Sequence, residues 1–317
     1  METASRPAPW KILLAFAIIY FVWGSTYLAI RVGVHEVPPF LLAAMRFLIS
    51  GLVLYGWMRL KGTPPPSPRQ WAGATALGAL IFLVDYGCLF WAEQRVPSGI
   101  AAVVLATIPV FITLLEITFL RTQRLTVRLG LALLAGLCGV AILTLNSFSF
   151  GGVPINRAGA LALLVASFTW SVATILTRRI QLPASKPMSA AAQMIAGGTQ
   201  LLILAILSGE LVGFRVQTVS WNAWFSLIYL IIAGSIAGFT AYIWLLHYES
   251  PTKVGTYAYV NPVVAVALGY FVGGEAVGLR TLMGALLIII SVIAITTTPA
   301  KRSEAKTRSE LSVAEAD

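Results

Sequence analysis

Three ionisable side chains interrupt long apolar runs in this chain of 317 residues: Arg46, Asp85 and Glu116. A lone charge in an apolar environment costs about 3 kcal/mol or more, so such a residue is a candidate solute site, proton site or buried ion pair. Arg46 and Asp85 each lie seven residues from the same end of neighbouring predicted helices, which predicts that they pair. Glu116 lies nearer a helix end, and we expect a structural role, with its charge at the surface or beside Arg121.

Aromatic side chains form the second signal. Tyr20, Trp23 and Tyr27 share one helical face, while Tyr257 and Asn261 share another just before Pro262. Such residues either pack helices together or line a cavity for amphipathic solutes. The residues predicted to line a substrate cavity are Trp23, Tyr27, Arg46, Asp85, Tyr86, Trp170, Tyr242, Tyr257 and Asn261.

Motifs for catalysis are missing from the sequence. It has no GxxxxGK[ST] loop, no HExxH and no Cys/His spacing that would hold a metal, and its acidic residues are scattered singly. Cys88 and Cys138 both lie in apolar runs, which argues against a disulfide framework. We therefore predict that the protein is not an enzyme and that it uses no cofactor or metal.

Composition places the chain in a lipid bilayer. Hydrophobic residues make up 58%, charged residues only 11%, and the mean hydropathy is +0.85. A spanning helix needs about 20 mostly apolar residues. Ten stretches qualify, at roughly 12–31, 39–58, 71–92, 98–120, 128–146, 157–177, 188–208, 222–246, 252–273 and 280–298. The sequence thus predicts an all-α integral membrane protein with ten transmembrane helices.

Basic residues set the predicted orientation. With the N-terminus in the cytoplasm, 16 of the 22 Lys and Arg residues fall in inner segments and five in outer ones. This bias predicts that both termini are cytoplasmic. The net charge of +10 therefore reflects membrane topology, and we expect no nucleic-acid partner.

The chain also repeats itself. Trp23 and Arg31 recur as Trp170 and Arg178, both at an offset of 147 residues. Each half contains five predicted helices, an odd number, so the second half must enter the membrane upside down. We predict two inverted five-helix repeats, residues 10–147 and 157–298, followed by a disordered cytoplasmic tail, 299–317. Glycines at GxxxG spacing, such as Gly234 and Gly238, are expected to pack helices closely.

Several stretches resemble the drug/metabolite transporter superfamily, EamA family. They are FVWGSTYLAIR at 21–31, RFLISG at 46–51, WAEQRVPSGIAA at 91–102 and TYAYVNPVVAVALGYFVGGE at 256–275. The resemblance implies a cavity between the two repeats, lined by helices 1, 3, 4, 6, 8 and 9. It also implies alternating access and export of small metabolites or drugs.

The expected function is therefore secondary transport, with export of amino-acid-like metabolites or amphipathic drugs. A lipid flippase or scramblase is the alternative, and a membrane enzyme is a weaker one. The expected partners are a small-molecule substrate and the lipid bilayer, with a homodimer left open. We expect a multi-pass protein of the cell inner or plasma membrane.

Reporter fusions test this topology. A cytoplasmic reporter should be active at the C-terminus and after Lys61, Arg124 and Arg179. The same reporter should be inactive near Glu36, Phe150 and Gln217, because the charge bias and the repeat parity put these outside. Activity at Phe150 would contradict the inverted repeat.

Overall fold

The computed structural model describes residues 7–95, 101, 104–144, 156–273 and 279–298, which form helices and no strand. The helices are α1 (Pro9–Val34), α2 (Pro39–Leu60), α3 (Pro68–Glu93), α4 (Ile108–Leu120), α5 (Val127–Thr144), α6 (Arg157–Leu176), α7 (Lys186–Leu207), α8 (Trp221–Tyr248), α9 (Tyr257–Gly273) and α10 (Leu279–Thr296). A short helical turn, Pro251–Val254, precedes α9. The all-helical prediction is confirmed.

Six of these helices, α1, α2, α3, α6, α7 and α8, are long and apolar enough to cross a membrane. The apolar helices at Ile108–Leu120, Val127–Ile142 and Met283–Thr296 are shorter. The multi-pass prediction is therefore supported, and the count of ten spans stays a prediction. The predicted tail, 299–317, lies outside the described residues, as does Phe150.

Local sequence signals explain where the helices begin. Ser67 caps α3 in a reciprocal arrangement with Gln70, and the Ser220 side chain accepts from the backbone N–H of Ala223 at the start of α8. Pro9, Pro39 and Pro68 each stand in the first turn of a helix, where the missing N–H removes no hydrogen bond. These signals are readable in the sequence, and the predicted starts of α1, α2, α3 and α8, at residues 12, 39, 71 and 222, lie within three residues of the observed ones. The fourth stretch, predicted to start at residue 98, begins outside the described residues, and its described helix α4 starts at Ile108.

The helices pack in matched pairs. α2 packs along α7 and α5 along α10, while α1 contacts α9 and α6 contacts α4. If α1 to α5 correspond in order to α6 to α10, the contact of α1 with α9 is equivalent to the contact of α6 with α4. The contacts of α2 with α7 and of α5 with α10 each join two equivalent helices. Two related halves would produce this pattern, although the inversion of the halves in the membrane stays a prediction.

Close approach of α2 and α7 depends on glycine. A Cβ atom built on Gly51 would lie 2.8 Å from the backbone N of Ile195 and 3.1 Å from the carbonyl O of Ala191. Helices in lipid gain little from the hydrophobic effect, so tight packing through small residues is a main source of their association. This contact ties the first half of the chain to the second.

Two carboxylates join the halves at one end of the bundle. Glu36, after α1, accepts 2.6 Å hydrogen bonds from both the N–H and the hydroxyl of Ser220. Glu210, after α7, accepts from the backbone N–H groups of Phe40 and Leu41 in the first turn of α2. The Ser220 hydrogen bonds lower the pKa of Glu36, whereas partial burial raises that of Glu210 against the opposing backbone bonds. Each carboxylate accepts hydrogen bonds from backbone N–H groups at the start of a helix, which would otherwise lack partners.

Two alanine substitutions in α2 test the glycine contact. Gly51→Ala should destabilise the protein by about 1–3 kcal/mol, because the new methyl group would press on the backbone of α7. Gly56→Ala is the matched control, since a Cβ there meets nothing within 4 Å. Thermal unfolding of purified protein in detergent measures both. Equal melting temperatures for the two variants would contradict the close approach.

Candidate functional site

A small central cavity lies between α1, α3, α4, α6 and α9, with a volume of about 40 Å³. Seven of the nine predicted cavity residues line it: Trp23, Tyr27, Asp85, Tyr86, Trp170, Tyr257 and Asn261. The structure thus brings together residues from four separate helices. A volume of this size holds a few water molecules and is far below the roughly 300 Å³ of a typical small-molecule site.

Aromatic rings form the wall of this cavity. The Trp23 ring centre lies 4.8 Å from that of Tyr257, 5.3 Å from that of Tyr242 and 5.6 Å from that of Trp170. Most of these pairs are tilted or edge-on, the arrangement that the ring quadrupole favours. Trp23 is fixed further by its indole N–H, which donates to the carbonyl O of Gly234 at 2.9 Å. The packed rings of Trp23, Trp170 and Tyr257 therefore form one continuous wall of the cavity.

Among the described residues, Asp85 is the one charged side chain that lines the cavity. It is 4% exposed, and in the described part of the chain its carboxylate has no hydrogen-bond or ion-pair partner. A carboxylate buried in this way is costly unless water, a proton or a bound cation compensates it. The Asn261 amide oxygen is also buried without a partner and lines the same cavity. Both groups are available to a ligand.

Arg46 does not pair with Asp85, so this prediction is wrong. The Arg46 side chain runs toward α8, where its Nε donates to the Ser235 hydroxyl at 2.8 Å. Its guanidinium also lies 4.7 Å from the ring centre of Phe47 and 5.2 Å from that of Tyr86. Asp85 and Tyr86 both line the cavity, but Arg46 contacts the ring of Tyr86 and not the carboxylate of Asp85. The prediction rested on the equal depth of Arg46 and Asp85, but their side chains do not point toward each other.

Tyr242 is the second predicted residue outside the cavity lining. Its hydroxyl forms a hydrogen bond with Thr174, and its ring packs 5.1 Å from that of Trp170. Tyr242 therefore supports the aromatic wall from behind. Its position on the same helical face as Gly238 could have indicated a supporting role.

The glycines of α8 make room for site side chains. A Cβ on Gly234 would lie 2.9 Å from Nη2 of Arg46 and 3.0 Å from Thr26, and one on Gly238 would collide with the Trp23 indole. The GxxxG pair was predicted to pack helices. It does so here by admitting two large side chains of α1 and α2 into the surface of α8.

π-helical segments carry several of these residues. α3 is π-helical over Ala79–Tyr86, which contains Asp85, and α8 is π-helical over Leu230–Ala237, which contains Gly234 and Ser235. Segments of this kind are rare and often lie at functional sites. α3 and α8 are also the pair that the repeat makes equivalent. No sequence signal used here predicts such a segment.

Two buried acids outside the cavity have different environments. Glu116 accepts hydrogen bonds from the Thr122 hydroxyl and from both the N–H and the hydroxyl of Thr252. Its environment is structural, as expected, but its partners are Thr122 and Thr252 and not Arg121. Glu93 was missed: it is 8% exposed, and neither carboxylate oxygen has a hydrogen-bond partner among the described residues.

A double-mutant cycle tests the new partner of Arg46. The Arg46→Gln and Ser235→Ala changes should be coupled by about 1–2 kcal/mol, because a hydrogen bond to a charged group is lost. The Arg46→Gln and Asp85→Asn changes should be additive within about 0.5 kcal/mol. Thermal unfolding of the single and double variants gives both values. Strong coupling between positions 46 and 85 would contradict this result and support an ion pair between Arg46 and Asp85.

Comparisons with known proteins agree with this architecture. The chain is 36% identical over 284 residues to the uncharacterized inner membrane transporter YedA of Escherichia coli K12, covering 89% of each chain. It is 24% identical to the uncharacterized transporter YoaV of Bacillus subtilis, over 92% of this chain and 99% of that one. Protein PecM of Dickeya dadantii is 28% identical over 84% of this chain and 88% of its own.

A solved crystal structure shares the fold. It superimposes with a TM-score of 0.71 at 23% identity and covers 90% of this chain and 97% of its own. The model of the EamA-like transporter family matches the chain twice, over residues 10–145 and 157–297. Together with the apolar helices, these matches support a multi-pass inner-membrane transporter. The chain belongs to the EamA-like transporter family.

Proposed function

We propose that this protein is a secondary transporter that exports small amphipathic solutes bearing an amine, by alternating access. The observation that carries the proposal is the carboxylate of Asp85, which has no partner among the described residues and lies in a cavity walled by aromatic rings. Export is the direction that the family resemblance implies.

An ammonium group fits this site on two grounds. It would compensate the buried charge of Asp85, and the faces of Trp23, Trp170 and Tyr257 would attract it further. The apolar lining residues Ile30, Leu89 and Leu105 would contact the remainder of the solute. The amide of Asn261 adds one polar group that can fix its orientation.

Alternating access is supported by polar contacts at both ends of the bundle. At one end, Glu36 binds Ser220 across the two halves. At the other end, Arg178 donates to the carbonyl oxygens of Leu246 and Glu249, and Arg179 donates to that of Phe119. A cavity of about 40 Å³ between two such sets suits a closed conformation, in which either set must break to admit a solute.

Ligand binding tests the proposal. Phenethylammonium should raise the melting temperature of the purified protein, and its uncharged analogue 2-phenylethanol should do so far less. Asp85→Asn should weaken phenethylammonium binding about tenfold or more, since it removes the carboxylate that would pair with the ammonium group. Glu93→Gln is the matched control, because it neutralises a second buried carboxyl of α3 that does not line the cavity.

Transport into proteoliposomes should follow the same order. Wild type and Glu93→Gln should exchange labelled phenethylammonium, and Asp85→Asn should not. Phenylalanine as a third solute shows whether a zwitterion is accepted. Equal binding of the two phenyl analogues, or full binding by Asp85→Asn, would contradict amine recognition. Movement of fluorescent phospholipid without solute transport would favour a flippase.

A further inference from the structure

A second concavity lies away from the central cavity and shares no lining residue with it. It is a groove between α1, α2, α8 and the start of α7, with a volume of about 640 Å³. Its walls are mostly apolar and include Leu14, Ile18, Leu54, Ile236 and Trp244. The groove has the surface chemistry of acyl-chain contact and is not explained by the proposed transport site.

Three lysines from three helices lie along this groove. Lys11 is in the first turn of α1, Lys61 follows the last residue of α2, and Lys186 is the first residue of α7. All three therefore stand at the same end of the bundle. In the described part of the chain, no acidic residue lines the groove and none of these ammonium groups has an ion-pair partner.

Two exposed tryptophans lie beside two of these lysines at the same end of the bundle. Trp10 is 61% exposed and Trp57 is 55% exposed, and both line the groove. The ammonium of Lys11 lies 5.6 Å from the ring centre of Trp10, and that of Lys61 lies 4.7 Å from the ring centre of Trp57. Exposed Trp beside Lys is typical of the boundary between hydrocarbon and headgroups. In a bilayer, Lys11 and Lys61 would therefore lie at the level of the headgroups, and the apolar walls would extend from there into the hydrocarbon.

We propose that this groove binds an acidic phospholipid, with its phosphate among Lys11, Lys61 and Lys186 and its chains along the apolar walls. The occupant must be apolar over most of its length, because the walls offer few polar groups. Its head must carry net negative charge, because three positive groups line the groove and no acidic side chain is among its described lining residues. A zwitterionic phospholipid would bring its own cation toward the lysines. On the predicted topology, this end of the bundle faces the cytoplasmic leaflet.

Native mass spectrometry of the full-length, delipidated protein tests the proposal. Phosphatidylglycerol and phosphatidylcholine with identical chains are titrated in parallel. Wild type should bind the first phosphatidylglycerol about tenfold more tightly than phosphatidylcholine. The triple variant Lys11→Gln, Lys61→Gln, Lys186→Gln should lose this preference, with phosphatidylcholine binding unchanged.

A charge-matched control distinguishes the effect of the groove lysines on lipid binding from the effect of the protein's total charge. The variant Arg69→Gln, Arg124→Gln, Lys253→Gln removes three basic residues of the same predicted face that do not line the groove. It should keep the preference of wild type. Equal losses in the two triple variants would overturn the proposal, because the effect would then follow total charge. No preference in wild type would overturn it as well.

Two further arms identify the occupant and its place. Ala237 is exposed in the groove, so Ala237→Trp should fill the groove and weaken the first lipid-binding step while the melting temperature stays close to that of wild type. Unchanged binding in this folded variant would place the lipid elsewhere and overturn the proposal. Glycerol 3-phosphate should not displace bound phosphatidylglycerol. Full displacement would show that a soluble phosphate occupies the site, which contradicts a lipid.

Discussion

Lipid offers no hydrogen bonds, and this constraint explains where the polar groups of the bundle lie. Most buried hydroxyl groups donate to a carbonyl of their own helix, as Thr113, Ser167 and Thr174 do. Other polar side chains reach across to a neighbouring helix, as Trp23 and Arg46 reach α8. Against this background, unpartnered polar groups at the centre are costly. Asp85 and Asn261 gather around one small cavity, where water or a solute can compensate them.

Close packing is the second consequence of a lipid environment. Helices separate easily in hydrocarbon unless their surfaces interlock, so glycine has two roles here. Gly51 lets the backbones of α2 and α7 approach, which joins the two halves of the chain. Gly234 and Gly238 let the side chains of Arg46 and Trp23 enter the surface of α8. The same residue type thus builds the scaffold in one place and positions the site in another.

The central cavity and the lysine groove differ in chemistry. The central cavity offers a carboxylate and ring faces, which favour a cationic or amine-bearing group. The groove at the bundle surface offers three ammonium groups above apolar walls, which favour an acidic lipid. Their opposite charge preferences mean that one ligand class cannot serve both.

The sequence by itself determined the class of protein, the helices and most of the cavity lining. Lipid-facing helices need long apolar runs, so composition and period were sufficient, and an aromatic residue or acid at depth was conspicuous for the same reason. Side-chain direction was decided only by the tertiary structure. Arg46 forms a hydrogen bond with Ser235, and Tyr242 forms one with Thr174. The reason is that the π-helical segment and the glycines of α8 shape surfaces that residue spacing does not reveal. The lysine groove is likewise invisible in the sequence, since Lys11, Lys61 and Lys186 meet only after three helices have packed.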